Sequence, residues 1–564
     1  MSSYTVRESP PDDCLQQHSP LLRALLFSRS LRSADEAERV LSASYERDLH
    51  DPFLLADMDA AVSRFLQAVE KKERIVIFGD FDADGICSTA LWKDFFRRIG
   101  YDRVAFYIPH RHEEGFGVNV EALSSIANEG PALVITADCG IADAEALKAA
   151  PGLGLDVIVT DHHEVLNGLP SAVAVVNPKR SDCSYPNPHL CGAGVSFKFM
   201  QAILSRNRFG LKDGHEKWLL DLVGIATISD MVSLTGENRA FALYGLTVLR
   251  KSPRVGILRL CRTLNIPQRH MSEDDIGFMI TPRLNAASRM GDTEDALMLL
   301  STDSEAEAEA ALKGLEKVNQ ERKGVVASIV KEIKKTITVT DDVGVIVTGN
   351  PNWRPSLLGL AANTIAEEFA RPVFLWGRDG SGSEELKGSC RSDGTVNILT
   401  LMESAADVFA QYGGHAFAGG FSVSFKNVHT LGEHLNEAYR QNGCSVRNEE
   451  KIVDADLSLN DVTDRTYNEI ERLAPFGIDN PKPLFRFKNV TIQTVRTFGK
   501  QGDHLELQFK KDSGGAVKAI GFFMTPESFA RKIKEGERID LIASLERSYF
   551  RGRPELRLRI TDII

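Results

Sequence analysis

Asp80, Asp82 and Asp84 recur at a spacing of two in "IVIFGDFDADG", directly after an apolar run. If the chain stays extended there, all three carboxylates point to one side. Like charges that close repel strongly unless a cation sits among them. Similar chemistry recurs further on. "LVITADCG" places Asp138 after a second apolar run, and "VIVTDHH" places Asp161, His162 and His163 after a third. Asp230 follows the apolar stretch in "LVGIATISDMV". Taken singly, each has an ordinary explanation: an Asp-Gly turn, a capping Asp, a surface His. Taken together they point to one place, because ligands of open parallel sheets collect outside the carboxyl ends of the strands. Oxygen donors with one or two imidazoles and no thiolate suit Mn²⁺ or Mg²⁺ better than a structural zinc. Cys139 beside Asp138 reads as a small buried filler. So many carboxylates exceed the needs of one ion. Two ions about 3.5–4 Å apart would use them, the arrangement for in-line hydrolysis of a phosphodiester.

Elements must bring these residues together. "IVIF" (Ile75–Phe78), "VAFY" (Val104–Tyr107), "LVIT" (Leu133–Thr136), "VIVT" (Val157–Thr160) and "VAVV" (Val173–Val176) are short continuous apolar runs bounded by turn residues. Such runs suit strands of a parallel sheet covered on both faces. Helical segments alternate with them, so the expected fold class is α/β, a doubly wound parallel sheet. Residues 1 to about 70 read as helical and solvent-facing. From Ser304 a capping box to Glu307 opens a helix with Leu312, Leu315, Val318, Val325, Ile329 and Ile333 at helical spacing. "VGVIVTG" and "RPVFLWG" then flank a helix in a second, smaller α/β domain. "APFGIDNPKPLF" reads as a boundary. Beyond it Leu505, Leu507 and Phe509, and then Leu556, Leu558 and Ile560, alternate by twos, as in a small all-β barrel or sandwich.

The chain has 564 residues, 43% hydrophobic and 26% charged, which implies a globular protein of several domains. No apolar stretch reaches the ~18 residues of a membrane span. The first residues show no basic start followed by an apolar core, so no signal peptide is expected and the cytosol is the default. Eight scattered cysteines without a CxxC argue for reduced thiols. The net charge of -11 means that any polyanion must be held by a local basic patch or by metals.

"GDFDADG", "TADCG", "TDHHE" and "ISDMVSLTGENR", in this order, resemble the motifs of the DHH phosphoesterase superfamily. "PHRHEEGFG", "TPRLNAASRMG", "GSCRS", "YGGHAFAGGFS" and "APFGIDNPKPLF" narrow the resemblance to the RecJ single-stranded-DNA exonucleases. The resemblance implies a helical extension over residues 1–70, a parallel-sheet DHH domain over 71–300 and a connecting helix over 301–338. A smaller α/β DHHA1 domain over 339–445 and an all-β OB fold over 446–564 complete it. It also implies a 5′-to-3′ exonuclease on single-stranded DNA that releases mononucleotides with two Mn²⁺ or Mg²⁺ ions, in recombination and repair. A helicase and a single-strand-binding protein would be its partners, without a membrane, and the enzyme would be a monomer.

Carried over by position, Asp80, Asp82, Asp84, Asp138, His162 and Asp230 are expected to bind metal. His163 is expected beside the scissile phosphate, with Asp161 orienting the imidazoles. Neighbours at a strand end are not expected to point the same way, which separates His162 as ligand from His163. Arg111, Arg283, Asn285, Ser389, Arg391, Gly414 and His415 match positions that would grip phosphates or the 5′ end. Tyr549 and Arg551, with Arg547, Arg553, Arg557, Arg559 and Phe550 around them, offer a basic and aromatic patch on the OB fold. The chain departs from the family at Trp353-Arg354-Pro355-Ser356, where Trp-His-x-Gly is usual, and at Ser288 and Ser548. Two alternatives are a DHH phosphodiesterase of short oligoribonucleotides or cyclic dinucleotides and a degenerate scaffold protein. The C-terminal domain argues against the first, and the intact acid set against the second.

Overall fold

The computed structural model describes residues 4–166, 168–337, 343–378, 385–441, 451–499, 502–529, 531–549 and 554–564. Arg551, Phe550 and Arg553 lie outside them. The chain forms two compact units. One comprises Met1–Tyr107, Gly117–Thr281 and Glu450–Ile564; the other comprises Ile108–Phe116 and Pro282–Glu449.

In the first unit, β1 (Tyr4–Val6) and helices Pro20–Ser28, Ala34–Leu41 and Met58–Glu70 precede a parallel sheet. That sheet contains β2 (Ile75–Gly79), β3 (Val104–Tyr107), β4 (Ala132–Ala137), β5 (Leu155–Thr160) and β6 (Ala174–Val176). Its order is β3-β2-β4-β5-β6, every pair parallel. The strand order reverses between β2 and β4, and that switch point opens the crevice where doubly wound folds bind ligands. Both faces are covered, as the continuous apolar runs require. Val76, Phe78, Val134, Val157 and Val159 pack with Leu123, Ile126 and Leu147. The alternate residues Ile75, Ile77, Ile135 and Ile158 are equally buried. Phe65, Trp92, Phe95, Phe96 and Phe199 form an aromatic cluster with ring centroids 5.5–6.3 Å apart. It locks helix Met58–Glu70 to helices Ala83–Ile99 and Gly192–Arg206.

The second unit carries helix Glu305–Thr336. Ser304 caps it by accepting from Glu307 N, but the Glu307 carboxylate turns to Thr302 Oγ1 at 2.5 Å, so only half of the expected capping box forms. The strands are β7 (Ile346–Gly349), β8 (Val373–Gly377), β9 (Glu385–Arg391), β10 (Gln411–Gly414) and β11 (Ala418–Ser424), in the order β10-β11-β9-β8-β7. Helix Pro355–Phe369 connects the parallel pair β7 and β8.

Returning to the first unit, β12 (Lys451–Val453) pairs with β1, Tyr4 opposite Lys451. β13 (Ala455–Asp456), β14 (Phe485–Phe498), β15 (His504–Lys510), β16 (Ala516–Gly521), β17 (Arg538–Ser548) and β18 (Glu555–Ile563) follow. The order β14-β15-β16-β18-β17 closes through β17 onto β14, the five-stranded OB barrel. Leu505, Leu507 and Phe509 are buried on its inner face, as their alternation requires.

The N-terminal helices are not solvent-facing. Leu22, Leu25 and Leu26 of "LLRALLF" are at most 1% exposed and share the barrel's core with Leu473, Phe485 and Leu541. The apolar stripe needs a cover, and the cover is supplied by the opposite end of the chain. Arg239 fastens this junction. Its buried guanidinium donates to five backbone carbonyls: Val40 O at 3.1 Å, Arg472 O at 3.3 Å, Leu473 O at 2.7 Å, Ala474 O at 2.8 Å and Pro475 O at 3.4 Å. Burial and the nearby Arg29 charge lower its pKa to about 10, still far above neutrality. Arg239→Met would leave Leu473 O and Pro475 O their bonds from Asn480 Nδ2 and take the guanidinium from Val40 O, Arg472 O and Ala474 O, at about 1–3 kcal/mol for each one left unsatisfied. Urea denaturation should show about 3 kcal/mol of lost stability; an unchanged midpoint would refute the clasp.

Candidate metal centre

Backbone geometry at the switch point assembles the acids. The extended arrangement expected over Asp80–Asp84 does not occur, because a helix starts at Ala83. Asp82 is its N-cap, accepting from Asp84 N at 2.9 Å and Gly85 N at 3.1 Å. Asp84 sits inside the first turn and is buried. Gly85 has to be glycine, since a Cβ there would lie 2.4 Å from the Asp80 carbonyl oxygen. The three acids therefore reach one region from a strand end, a cap and a helical turn, not from one face of a strand.

A second helix meets the first at this point. Gly192 N and Ala193 N, in the first turn of Gly192–Arg206, donate to Asp84 Oδ2 at 2.6 Å and Oδ1 at 2.8 Å. A helix N-terminus is a favourable place for an anion. A Cβ on Gly192 would lie 2.3 Å from Asp138 Oδ1, so that residue too must be glycine. The sequence reading missed this cradle; the glycines of "CGAG" just before an apolar helix were its only trace.

The ladder between β4 and β5 ends at Ile135 and Ile158. Beyond it hydroxyls take over: Thr160 Oγ1 donates to Thr136 O at 2.5 Å, and Thr136 Oγ1 to Cys139 O at 2.7 Å. Asp138 then adopts a left-handed backbone, φ 71°, held by its N–H to Thr160 O at 3.0 Å. Asp161 follows β5 and is buried. Its Oδ1 accepts from His162 N, His163 N and His163 Nδ1 at 2.6, 3.0 and 2.8 Å, and its Oδ2 from Ile141 N at 2.9 Å. Asp230 is the C-cap of helix Leu220–Ser229, so it arrives from a helix end and not from a strand.

His162 Nε2 lies 3.1 Å from Asp138 Oδ1, 3.6 Å from Asp230 Oδ2 and 3.8 Å from Asp84 Oδ2. The two histidines do not diverge as expected. Their ring centroids are 4.5 Å apart, and both group with Asp138. They differ in environment: the His162 side chain is 9% exposed and that of His163 43%. Asp80, Asp82 and Asp138 bring ligand atoms within 4.8 Å of one another, as do Asp84, His162 and Asp230, and Asp138, His162 and His163. Asp138 Oδ1 is buried and receives no hydrogen bond among the described residues. A buried carboxylate oxygen without a donor, among further carboxylates and a neutral imidazole, fits a hard divalent cation.

The protonation states agree. Burial and the charges of Asp84 and Asp82 push Asp138 well above the carboxylate range. Burial and the Asp82 charge raise Asp84 to about 7, and burial with Asp84 and Asp82 raises Asp230 to about 8. Burial and the His163 charge hold His162 down to about 3. For His163, burial opposes the charged form, but the Asp161 hydrogen bond and charge outweigh it and lift the pKa to about 9. Burial also opposes the charge of Asp161, which is nevertheless held below its usual range by His163 and the Ile141 amide.

The remaining site residues divide between the units. In the second unit, Arg283 forms a close pair with Glu316. Ser389 and Arg391 lie on β9, with Arg391 Nη1 3.2 Å from Ser389 Oγ, and a Cβ on Gly359 would lie 2.7 Å from Arg391 Nη2. Arg111 lies in a turn, Asn285 in helix Thr281–Met290, and Gly414 and the exposed His415 end β10. The departing loop is taken up in packing: Trp353 Nε1 donates to Glu332 at 3.1 Å, Pro355 starts a helix, and Ser356 Oγ donates to Arg289 O at 2.9 Å. Tyr549, in the first unit, is stacked on His270 at 4.1 Å and 10°, so one face of its ring is already covered. An aromatic patch the sequence reading did not single out surrounds His504, with Phe498, Phe522 and Phe523 at 4.9–5.4 Å and Arg559 4.1 Å over Phe522.

The raised carboxylates give a pH prediction with a definite sign. Unfolded carboxylates ionise near pH 4. Between there and about 8 the metal-free native state holds more protons than the unfolded chain, so rising pH costs it stability. A divalent cation displaces those protons. The thermal stabilisation by Mn²⁺ over EDTA should therefore be larger at about pH 8.5 than at about pH 6. An equal or larger gain at the lower pH would contradict the assignment.

Three family descriptions match the chain: "DHH family, N-terminal domain" over residues 74–227, "DHHA1 domain" over 342–441 and "RecJ OB domain" over 453–562. The single-stranded-DNA-specific exonuclease RecJ of Bacillus subtilis is 33% identical over 547 residues, 96% of this chain and 68% of that protein. Its namesake in Haemophilus influenzae is 30% identical, over 99% of this chain and 98% of that protein. Among solved structures, RecJ of Thermus thermophilus in complex with Mn²⁺ is similar with a TM-score of 0.82 at 26% identity, covering 100% of this chain and 79% of that one. With the likeness running through all three modules and nearly end to end, the chain belongs to the RecJ family of single-stranded-DNA-specific exonucleases.

Proposed function

We propose that the chain is a 5′-to-3′ exonuclease that degrades single-stranded DNA to mononucleotides, using Mn²⁺ or Mg²⁺, in recombination and repair. The observation that carries this reading is the acid cluster at the switch point, with Asp138 common to two of its three groups. Asp80, Asp82 and Asp138 would hold one cation, and Asp84, His162 and Asp230 the other. Bound divalent cations supply charge stabilisation at the phosphoryl oxygens of an in-line displacement.

The protein's own residues do the rest. The amides of Gly192 and Ala193 fix the Asp84 carboxylate, so its orientation does not depend on ligands. Asp161 binds His163 Nδ1 and so orients the imidazole ring. A His163 lifted to about 9 carries its proton at neutral pH, which suits it to stabilise a phosphate oxygen or to protonate the departing 3′ oxygen. Arg111, Arg283, Asn285, Ser389, Arg391, Gly414 and His415 would bind the 5′ end and backbone phosphates, guanidinium forks matching phosphate oxygens. On the OB barrel, Phe498, His504, Phe522 and Phe523 beside Arg559 offer stacking surfaces and charge to successive bases.

The seven described cysteines are all free, which supports a reducing compartment, the cytosol. No helix among the described residues is long and apolar enough to cross a membrane. In this reading the enzyme acts as a monomer on strands opened by a helicase and kept open by a single-strand-binding protein. The alternative, a phosphodiesterase of short oligoribonucleotides or cyclic dinucleotides, is not favoured, because the RecJ likeness includes the OB barrel.

With Mn²⁺, 5′-tailed DNA should be degraded in preference to 3′-tailed or blunt DNA and to short RNA. Asp138→Ala should lower the rate at least about 10³-fold; undiminished activity, or a preference for short RNA, would overturn the reading. His163→Ala should keep Mn²⁺ binding and lose about 10²–10⁴-fold in rate. Loss of the metal in that variant would make His163 a ligand. Phe522→Ala combined with Arg559→Ala should weaken binding of a long strand about tenfold while sparing hydrolysis of a short one. Equal affinities at matched salt would remove the barrel patch from the strand's path.

A further inference from the structure

Lys179 is absent from every assignment made above. It follows β6 at the carboxyl edge of the parallel sheet, the edge that carries the acid cluster. Its backbone is fixed on both sides. Asn177 is fully buried; its Nδ2 donates to His163 O at 2.9 Å, and its Oδ1 accepts from Lys179 N at 2.8 Å. One side chain thus spans from the carbonyl of His163 to the amide of Lys179. Arg180, with a side chain 5% exposed, is tied to Asp57 Oδ2 at 2.5 Å, Val175 O at 2.5 Å and Asp182 Oδ2 at 2.7 Å. The turn between these anchors is therefore preorganised, as Asx turns are when the Asn side chain is locked.

The Lys179 ammonium lies 3.0 Å from the Glu164 carboxylate, on the residue after His163. Lys179 is 22% exposed and Glu164 63%. Glu164 follows His163, whose ring groups with Asp138 and His162, so the ion pair borders the cluster. A surface ion pair would ordinarily be worth little. Here Asn177 ties the backbone of Lys179 to that of His163, so the ammonium starts from a backbone fixed to the loop that sets the site.

We propose that Lys179 is a substrate-binding residue that contacts a phosphate of the strand beside the scissile bond, and that Glu164 occupies it until the phosphate arrives. The proposal rests on the exonuclease reading. In the resting protein Glu164 neutralises Lys179; in the complex a phosphate oxygen displaces the carboxylate. Glu164 then competes with substrate, and the two residues have opposite effects on affinity. An ordinary surface pair predicts no such opposition.

The test uses the full chain with Mn²⁺ and two probes: a 5′-phosphorylated oligothymidylate for turnover, and a hydrolysis-resistant phosphorothioate analogue for equilibrium binding. Lys179→Met should lower kcat/KM and analogue affinity about tenfold and make the dependence on salt shallower by about 0.7 in the log–log slope, one phosphate contact on a single strand. Its Mn²⁺ affinity should stay within about twofold, and Lys179→Arg should recover most of the loss. Glu164→Gln should tighten the analogue about two- to fivefold at low salt. The inference is overturned if the two variants leave analogue binding unchanged or move it in the same direction, or if Lys179→Met loses Mn²⁺ in proportion to activity. A wild type that binds the analogue but does not hydrolyse DNA counts against the exonuclease reading, and the binding comparison still decides the role of Lys179. A wild type that neither binds nor cleaves overturns both.

Discussion

Five aspartates crowd one buried crevice, and their mutual repulsion is the constraint around which the first unit is built. Each carboxylate raises the cost of ionising the next, and burial raises it further. The fold meets that cost with backbone dipoles. One helix starts on Asp82, and another aims the amides of Gly192 and Ala193 at Asp84. Those contacts demand glycine at 85 and 192, because a Cβ at either position would collide with the acids or their backbone. They also demand that the two helices meet at the switch point, which the aromatic cluster of Phe65, Trp92 and Phe199 enforces from further back. Amides alone do not discharge the repulsion, since Asp138, Asp84 and Asp230 remain raised. A divalent cation completes the arrangement that the backbone begins.

The two histidines show how one strand end serves two tasks. They are adjacent in sequence and their rings nearly touch, yet burial leaves His162 neutral while Asp161 keeps His163 charged. Environments that push neighbouring pKa values apart suit two groups to different roles, here the proposed ligand and the proposed proton carrier. Asp161 makes the separation possible by binding His163 through its ring and both histidines through their amides. A single carboxylate thereby fixes the backbone of His162 and the charge of His163.

Much of this was legible in the sequence, for identifiable reasons. The strand runs were readable because a sheet covered on both faces must be apolar continuously, and the OB strands because a barrel alternates. The acids were readable because aspartate after an apolar run is distinctive. What could not be read was geometry set by distant partners. Spacing by two suggested an extended Asp80–Asp84, whereas the N-cap at Asp82 starts a helix. The Gly192–Ala193 cradle carries no charge and left only two glycines as a trace. Residues 1 to about 70 read as solvent-facing, but Leu22, Leu25 and Leu26 are buried against Phe485 and Leu541 from the far end of the chain. Tyr549 looked available for stacking until His270 covered one of its faces.

A net charge of -11 sets the terms on which such a chain can act on a polyanion. The long-range field repels a DNA strand, so affinity has to come from contacts inside a Debye length, about 8 Å in physiological salt. In the proposed reading the first unit would supply these as discrete features: the Arg559 and Phe522 patch on the barrel and the lysine turn beside the acids. The acid cluster has the opposite character. Without cations its carboxylates either hold protons or repel a phosphate, and a bound cation would remove both obstacles. Metal loading therefore does more than enable chemistry here, because it lowers the repulsion at the acid cluster and adds cations that a phosphate oxygen can meet.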